Sequence, residues 1–353
     1  MAKIYGQIDS LKQLLSILNS NGIYFLKSLE DIKTFRQEYN NNYLKLVEEV
    51  KIEYELELSN AKIELETLQA DYLTKIKNRE RELIIERDNI QYAIKLIPEG
   101  QIGIFCKIKN EFKRIRLEKR KRILTNQFEG ELKKPYLSLE KTIRIADEKI
   151  KYLENNKDSI ASKRISQKTM MIRSAKNILE EYNTLFIGAI GEQKAVDELA
   201  KLPDSYHIIN NFKLNFNKPI FNRKTGETIL SVQADHIVVG PTGVFLVETK
   251  NWSQESIKNE NLYSPVDQIK RSSYALFIYL NNAVNKRVLS LARENWGNKK
   301  VSIRNIILMI RGKPNKEFQF VKLLNLSEIC SYITYFNKMY DDEEVQNIVE
   351  YLM

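Results

Sequence analysis

Between residues 233 and 254 the chain reads QADHIVVGPTGVFLVETKNWSQ. Two apolar, β-branched runs flank a Gly-Pro-Thr-Gly turn, and each run carries a carboxylate, Asp235 in the first and Glu248 in the second. Lys250 follows two residues after Glu248. A two-residue Pro241-Thr242 loop pairs Gly240 with Gly243, and counting back along both strands sets Asp235 opposite Glu248. The same turn also suits a three-residue loop with a bulged glycine, which slips the register by one residue. Side chains alternate along a strand, so Lys250 shares the face of Glu248. Opposed like charges destabilise a sheet, and burying unpaired carboxylates costs several kcal/mol. A cation bridging the two removes both penalties.

The chemistry follows from these residue types. Carboxylates on adjacent strands can hold divalent cations against a phosphodiester, and carboxylate oxygens favour hard cations such as magnesium or manganese. An ammonium such as that of Lys250 can orient the attacking water or offset charge in the transition state. Glu192, in the helix start GAIGEQ at 188–193, is a candidate additional ligand or base. The acid-x-lysine pattern alone says little, since DEK at 147–149 also fits it inside a helical stretch. The competing reading is a charged hairpin end closed by a salt bridge, although one lysine pairs with only part of two opposed acids. For Glu192 the competing reading is a helix N-terminal acid favoured by the macrodipole. His236 alternates away from Asp235 and is assigned packing or a hydrogen bond; Trp252 and Tyr274 are assigned to a core or a site rim.

Taken together, the Asp-bearing strand, the glycine turn, the strand ending Glu-Thr-Lys and the preceding Gly-x-x-Gly-Glu helix resemble a known family. Residues 184–312 resemble the nuclease-related (NERD) domain, which is similar to the PD-(D/E)XK nucleases. The matching pieces are GAIGEQ (188–193), ADHIVVGPTGVFLVETKNW (234–252) and DQIKRSSYAL (267–276). The resemblance implies a restriction-endonuclease-like fold and a magnesium- or manganese-dependent nuclease. By position, Asp235 and Glu248 become metal ligands, Lys250 the catalytic lysine, Glu192 the helix acid and further ligand, and Gln268 the glutamine following the core. Ala234-Asp235 stands where the superfamily name has Pro-Asp, and Ser253-Gln254 where glycine often follows the tryptophan.

The elements that must position these residues also show in the sequence. From about 184, apolar β-branched runs at 206–214, 229–239, 244–250 and 302–310 predict strands, with helices at 265–284, 326–338 and 341–352. A helix, a hairpin, a crossover helix and a further strand make an α/β domain with a mixed central sheet. Before it, no proline occurs until Pro98, which predicts a strongly helical, coiled-coil N-terminal region. A short helix is expected near 9–20 with Gly22 as its stop, and Ser28 with Asp31 resembles a capping box opening a long helix towards 95. Leu58, Ala61, Leu65, Leu68 and Tyr72 step at coiled-coil spacing, as do Leu139, Ile143, Ala146, Ile150 and Leu153. Such seams need partners, either each other in an antiparallel hairpin or a second copy of the chain. The expected division is a helical region, 1–180, followed by a nuclease-like domain, 181–353, with its core at 184–312.

The net charge of +10 concentrates in KIKNEFKRIRLEKRKR (107–122), nine basic against two acidic residues. It is read either as a solvated helix face or as a phosphate-neutralising patch formed by Lys113, Arg114, Arg116, Lys119, Arg120, Lys121 and Arg122. With two histidines, a histidine-rich metal site is excluded. Two distant cysteines, Cys106 and Cys330, suit a reducing cytoplasm. No apolar run reaches the roughly 18 residues a membrane helix needs, no signal-peptide core opens the chain, and no Gly-x-x-x-x-Gly-Lys-Ser/Thr phosphate loop appears. The expected function is therefore cleavage of nucleic acid, DNA before RNA, by a homo-oligomeric cytoplasmic enzyme in defence against foreign DNA or in repair. The alternative is an inactive nucleic-acid-binding or coiled-coil scaffold protein.

Overall fold

Helices dominate the first half of the chain because glycine and proline are scarce there and apolar residues recur every three or four positions. The computed structural model describes residues 1–98, 103–252, 263–291, 293–294 and 297–353. After the short strand β1 (Lys3–Tyr5) come α1 (Asp9–Ser20) and the 67-residue helix α2 (Leu29–Lys95). The expected capping box is present: Ser28 Oγ accepts from Asp31 N–H at 3.1 Å, and Asp31 accepts from Ser28 N–H at 3.0 Å. There follow α3 (Ile104–Asn126), α4 (Phe128–Lys133), α5 (Leu137–Asn155), α6 (Lys157–Glu181) and α7 (Asn183–Leu199).

Residues 40–170 form one compact unit, and residues 1–39 together with 171–353 form the other. The first 39 residues thus pack with the sheet-bearing part, whereas the sequence reading grouped them with the helical region. Within the 40–170 unit the two seams meet each other. Tyr54 donates from its hydroxyl to the Leu153 carbonyl at 2.7 Å, Lys62 pairs with Glu154 at 2.8 Å, and Tyr72 donates to Glu140. Tyr54 and Lys62 of α2 thus meet the C-terminal end of α5 while Tyr72 meets its N-terminal turn, the antiparallel hairpin that heptad spacing allows without a second chain.

In the other unit the second half of the chain supplies β2 (His207–Asn222), β3 (Glu227–Gly240), β4 (Gly243–Lys250), α8 (Tyr263–Asn285), the two-residue strands β5 (Arg293–Glu294) and β6 (Gly297–Asn298), then β7 (Ile303–Met309), β8 (Val321–Asn325), α9 (Leu326–Thr334) and α10 (Asp342–Leu352). Six strands form one mixed sheet in the order β1-β2-β3-β4-β7-β8. The pairs β2–β3 and β3–β4 are antiparallel, while β1–β2, β4–β7 and β7–β8 are parallel. Helix α8 is the crossover between the parallel strands β4 and β7, which a hairpin cannot connect. The continuous apolar run Val244–Val247 is fully covered because β4 is central, with a core on each face. One core packs Val244, Leu246 and Ile307 against Val266, Leu276 and Leu280 of α8 and Ile348 of α10. The other packs Phe245, Val247 and Leu308 against Ala195 and Leu199 of α7 and Ile329 of α9. A third core joins Leu14 and Leu18 of α1 to Phe186, Ala189 and Val196 of α7.

Candidate active site

The turn fixes the register. Gly240 pairs with Gly243 across the two-residue Pro241-Thr242 loop, and the ladder runs on to His236–Val247. Gly243 has φ of +139°, a conformation that side-chain-bearing residues rarely adopt. The turn is tied down from several sides. Thr242 donates to the Ile333 carbonyl at 2.7 Å, Arg304 donates to the Thr242 carbonyl at 3.1 Å, and the Pro241 carbonyl accepts from Met339 N–H at 2.7 Å. The bulged alternative is therefore not the one formed; the paired ladder ends at His236–Val247, and its register carried on by one position would bring Asp235 opposite Glu248.

At that position the strands are linked through a side chain. Asp235 Oδ2 accepts the Thr249 main-chain N–H at 2.6 Å, so the carboxylate on β3 reaches across to the end of β4. Lys250 Nζ lies 2.8 Å from Glu248 Oε1, on the face that alternation assigns to both. Lys250 itself sits beside Met309 of β7, and its carbonyl accepts from Ile310 N–H at 3.0 Å. Asp235, Glu248 and Lys250 therefore share one end of the central strands.

The electrostatics are those of two acids competing for one cation. Burial first, and the Glu248 charge second, push the Asp235 carboxyl well above the usual carboxylate range, only partly offset by the Thr249 N–H. Burial works against the Lys250 ammonium, but the charges of Glu248, Asp235 and Glu192 outweigh it and raise its pKa. Glu192, buried on α7, is raised by burial, while the Ser10 hydroxyl and N–H pull the other way. The Ser10 hydroxyl donates to Glu192 Oε1 and the Ser10 N–H to Oε2 at 3.3 Å. Among the described residues, no group of three or more His, Cys, Asp or Glu side chains gathers at metal-holding spacing. The Asp235–Glu248 pair nonetheless suits a hard divalent cation, because it is a pair of oxygen donors whose mutual repulsion one lysine leaves partly unrelieved.

The remaining candidates fall in different places. Gln268 stands exposed near the start of α8, and among the described residues nothing hydrogen-bonds to it. His236 is fully buried with Nδ1 2.8 Å from Asn210 Oδ1, and burial pushes it down to about 4, which fits the packing role. Trp252 and Tyr274 pack against the apolar core rather than standing free. In the 40–170 unit, Lys113, Arg116, Lys119 and Arg122 are exposed on α3, whereas Arg114 and Lys121 are half-buried. Arg120 is taken by two acids, at 2.8 Å from Glu86 and 2.8 Å from Glu131, so it braces α3 rather than presenting a free charge. Sequence reasoning missed Ser10 and Asn251, both of which press on α7; the glycine spacing of GAIGEQ was the signal that something approaches that helix closely.

No curated protein and no solved structure compared with the chain gave a match. Residues 187–307 match the family model described as the nuclease-related domain, NERD. That span contains Glu192, Asp235, Glu248, Lys250 and Gln268, covers about a third of the chain and follows a helical N-terminal region.

Proposed function

We propose that the chain hydrolyses phosphodiester bonds of DNA with magnesium or manganese. The observation that carries this reading is the grouping of Asp235, Glu248 and Lys250 at one end of β3 and β4, with Asp235 held in an environment hostile to its charge. Asp235 and Glu248 would hold the cation, with Glu192 adding negative charge from α7 without standing at ligand spacing to the pair. Bound there, it would supply Lewis-acid polarisation of the phosphoryl group and a more acidic water. Glu248 keeps Lys250 charged and aimed along the face it shares with that carboxylate. The ammonium then orients the attacking water or stabilises charge on the phosphoryl oxygens. To Gln268, exposed near the start of α8, we assign a contact with the substrate. The setting we propose is the cytoplasm, in defence against foreign DNA or in repair, with the helical unit as the means of self-association.

The test is incubation of the purified full chain with labelled linear, circular and single-stranded DNA, with magnesium, manganese or chelator. Metal-dependent cleavage is expected, and its absence on all three substrates overturns the reading. A non-catalytic nucleic-acid-binding or scaffold role draws on one specific feature, that Lys250 is already paired with Glu248 as in an ordinary salt bridge. Binding without cleavage would select it.

The exposed basic residues of α3 are assigned to phosphate contacts. Reversing Lys113, Arg116, Lys119 and Arg122 is expected to reduce the slope of log affinity against log salt by about 3 to 4, near 0.9 per lost contact on duplex DNA. Fluorescence anisotropy at several salt concentrations measures it, and an unchanged slope removes α3 from the interface.

A further inference from the structure

Ser10 lies in the first turn of α1, outside the stretch matched to the nuclease-related domain and 182 residues from Glu192 in sequence. Both its hydroxyl and its main-chain N–H donate to the Glu192 carboxylate, one to each oxygen. A carboxylate at a helix N-terminus is favoured in its charged form, which counters the burial that disfavours that charge.

Two glycines of α7 make the arrangement possible. A Cβ on Gly188 would lie 2.7 Å from Ser10 Oγ, and a Cβ on Gly191 would lie 2.8 Å from Asn251 Cβ. The helix that carries Glu192 is therefore approached on one side by α1 and on another by the residue immediately after Lys250. Asn251 also donates from its amide to the Ile187 carbonyl at 2.7 Å. Asp9 ties the first turn of α1 back to the sheet, accepting from Lys213 of β2 at 3.0 Å and from Gln233 of β3 at 3.1 Å. Gln233 is two residues from Asp235. A closed path of contacts thus runs from β3 through Asp9, Ser10 and α7 to Asn251 at the end of β4.

We propose that Ser10 is a positioning residue of this site, fixing the Glu192 carboxylate on the part of α7 that packs against Asn251, next to Lys250, so that the N-terminal helix completes the nuclease centre. The inference rests on the reading of Asp235, Glu248 and Lys250 as that centre. A purely structural serine would stabilise the fold wherever its partner was removed; a positioning serine acts only through Glu192. Partners that orient ligating groups are typically worth 10–100-fold in metal affinity or activity.

The experiment uses the full chain and two readouts, manganese binding by calorimetry without DNA and kcat and KM on linear DNA. Ser10→Ala is expected to weaken manganese binding and lower kcat by about 10-fold each, with KM little changed, and Ser10→Thr to restore both. Gly188→Ala, which keeps Ser10 but crowds its hydroxyl, should reproduce the loss with the Ser10 side chain present. In a Glu192→Gln background Ser10→Ala should cost nothing further. Ser10→Ala matching wild type, or costing as much without Glu192 as with it, overturns the proposal alone. A wild-type chain that neither binds manganese nor cleaves overturns the nuclease reading and this inference with it.

Discussion

Replacing Lys250 with alanine is expected to lower DNA cleavage by roughly 10²–10³-fold, the scale seen when one preorganised charge-stabilising donor is removed. The substitution deletes the ammonium that lies 2.8 Å from Glu248. Glu248, 8% exposed, would then face Asp235 with no ammonium beside it. The variant should therefore also melt at a lower temperature than wild type in the absence of divalent cations, because an uncompensated buried charge is costly. Added manganese should recover part of that loss of stability without recovering the rate. Single-turnover cleavage of labelled linear DNA and thermal melts with and without manganese measure the two effects. Equal cleavage by the variant and wild type would remove Lys250 from the chemistry.

The second large effect is a variant made more stable and less active by the same change. Asp235→Asn keeps an oxygen to accept the Thr249 N–H but removes one of two opposed negative charges. The folded pKa of Asp235 is raised above its unfolded value of 3.8. The carboxyl thus contributes stability that is fully present below about pH 3.8 and is lost as pH rises through the folded value. Asparagine does not titrate, so it suffers no such loss. In chelator the variant should match wild type near pH 3.8 and grow progressively more stable than wild type as pH rises from there, by roughly 1 kcal/mol, the scale of an opposed like-charge pair. Cleavage with magnesium should fall by roughly 10³-fold, since each 1.36 kcal/mol of lost transition-state stabilisation is tenfold in rate. Urea melts across pH and cleavage assays on the same preparations check both. A variant less stable than wild type at neutral pH, or one that still cleaves, contradicts the assigned role.

Much of the candidate site was legible because its determinants are local. Gly240, Gly243 and the alternation of two short strands suffice to place Asp235 against Glu248 and Lys250 beside Glu248, once the loop length is chosen. The loop length itself was not legible. It depends on Pro241 and Thr242 being gripped by segments 60 to 100 residues downstream, through Arg304, Ile333 and Met339. The long helix and its capping box could be read because helix signals repeat within a few residues. Periodicity showed that the seams at Leu58–Tyr72 and Leu139–Leu153 needed partners but could not say which; Tyr54 and Leu153 show that they serve each other. Strand β1 carried no signal, since three residues pairing in parallel with His207–Ile209 have no pattern of their own. Ser10 was hidden for the same reason, its role being defined by a glutamate far along the chain. The basic run was legible as charge, but the diversion of Arg120 to Glu86 and Glu131 was not.

The division of the larger unit between residues 1–39 and 171–353 has a consequence for how the protein is made. Tyr5 must wait for its partner His207, 202 residues later, before β1 can join the sheet. At roughly 5–20 residues per second of synthesis, the first strand and helix spend about 10–40 s without the surfaces they are built to cover. Over that interval the intervening helices can already close on themselves, since their contacts are nearer in sequence. A ribosome that stalls before β3 and β4 emerge leaves the helices without Asp235, Glu248 and Lys250, so the proposed site can assemble only once synthesis has passed the end of β4 at Lys250.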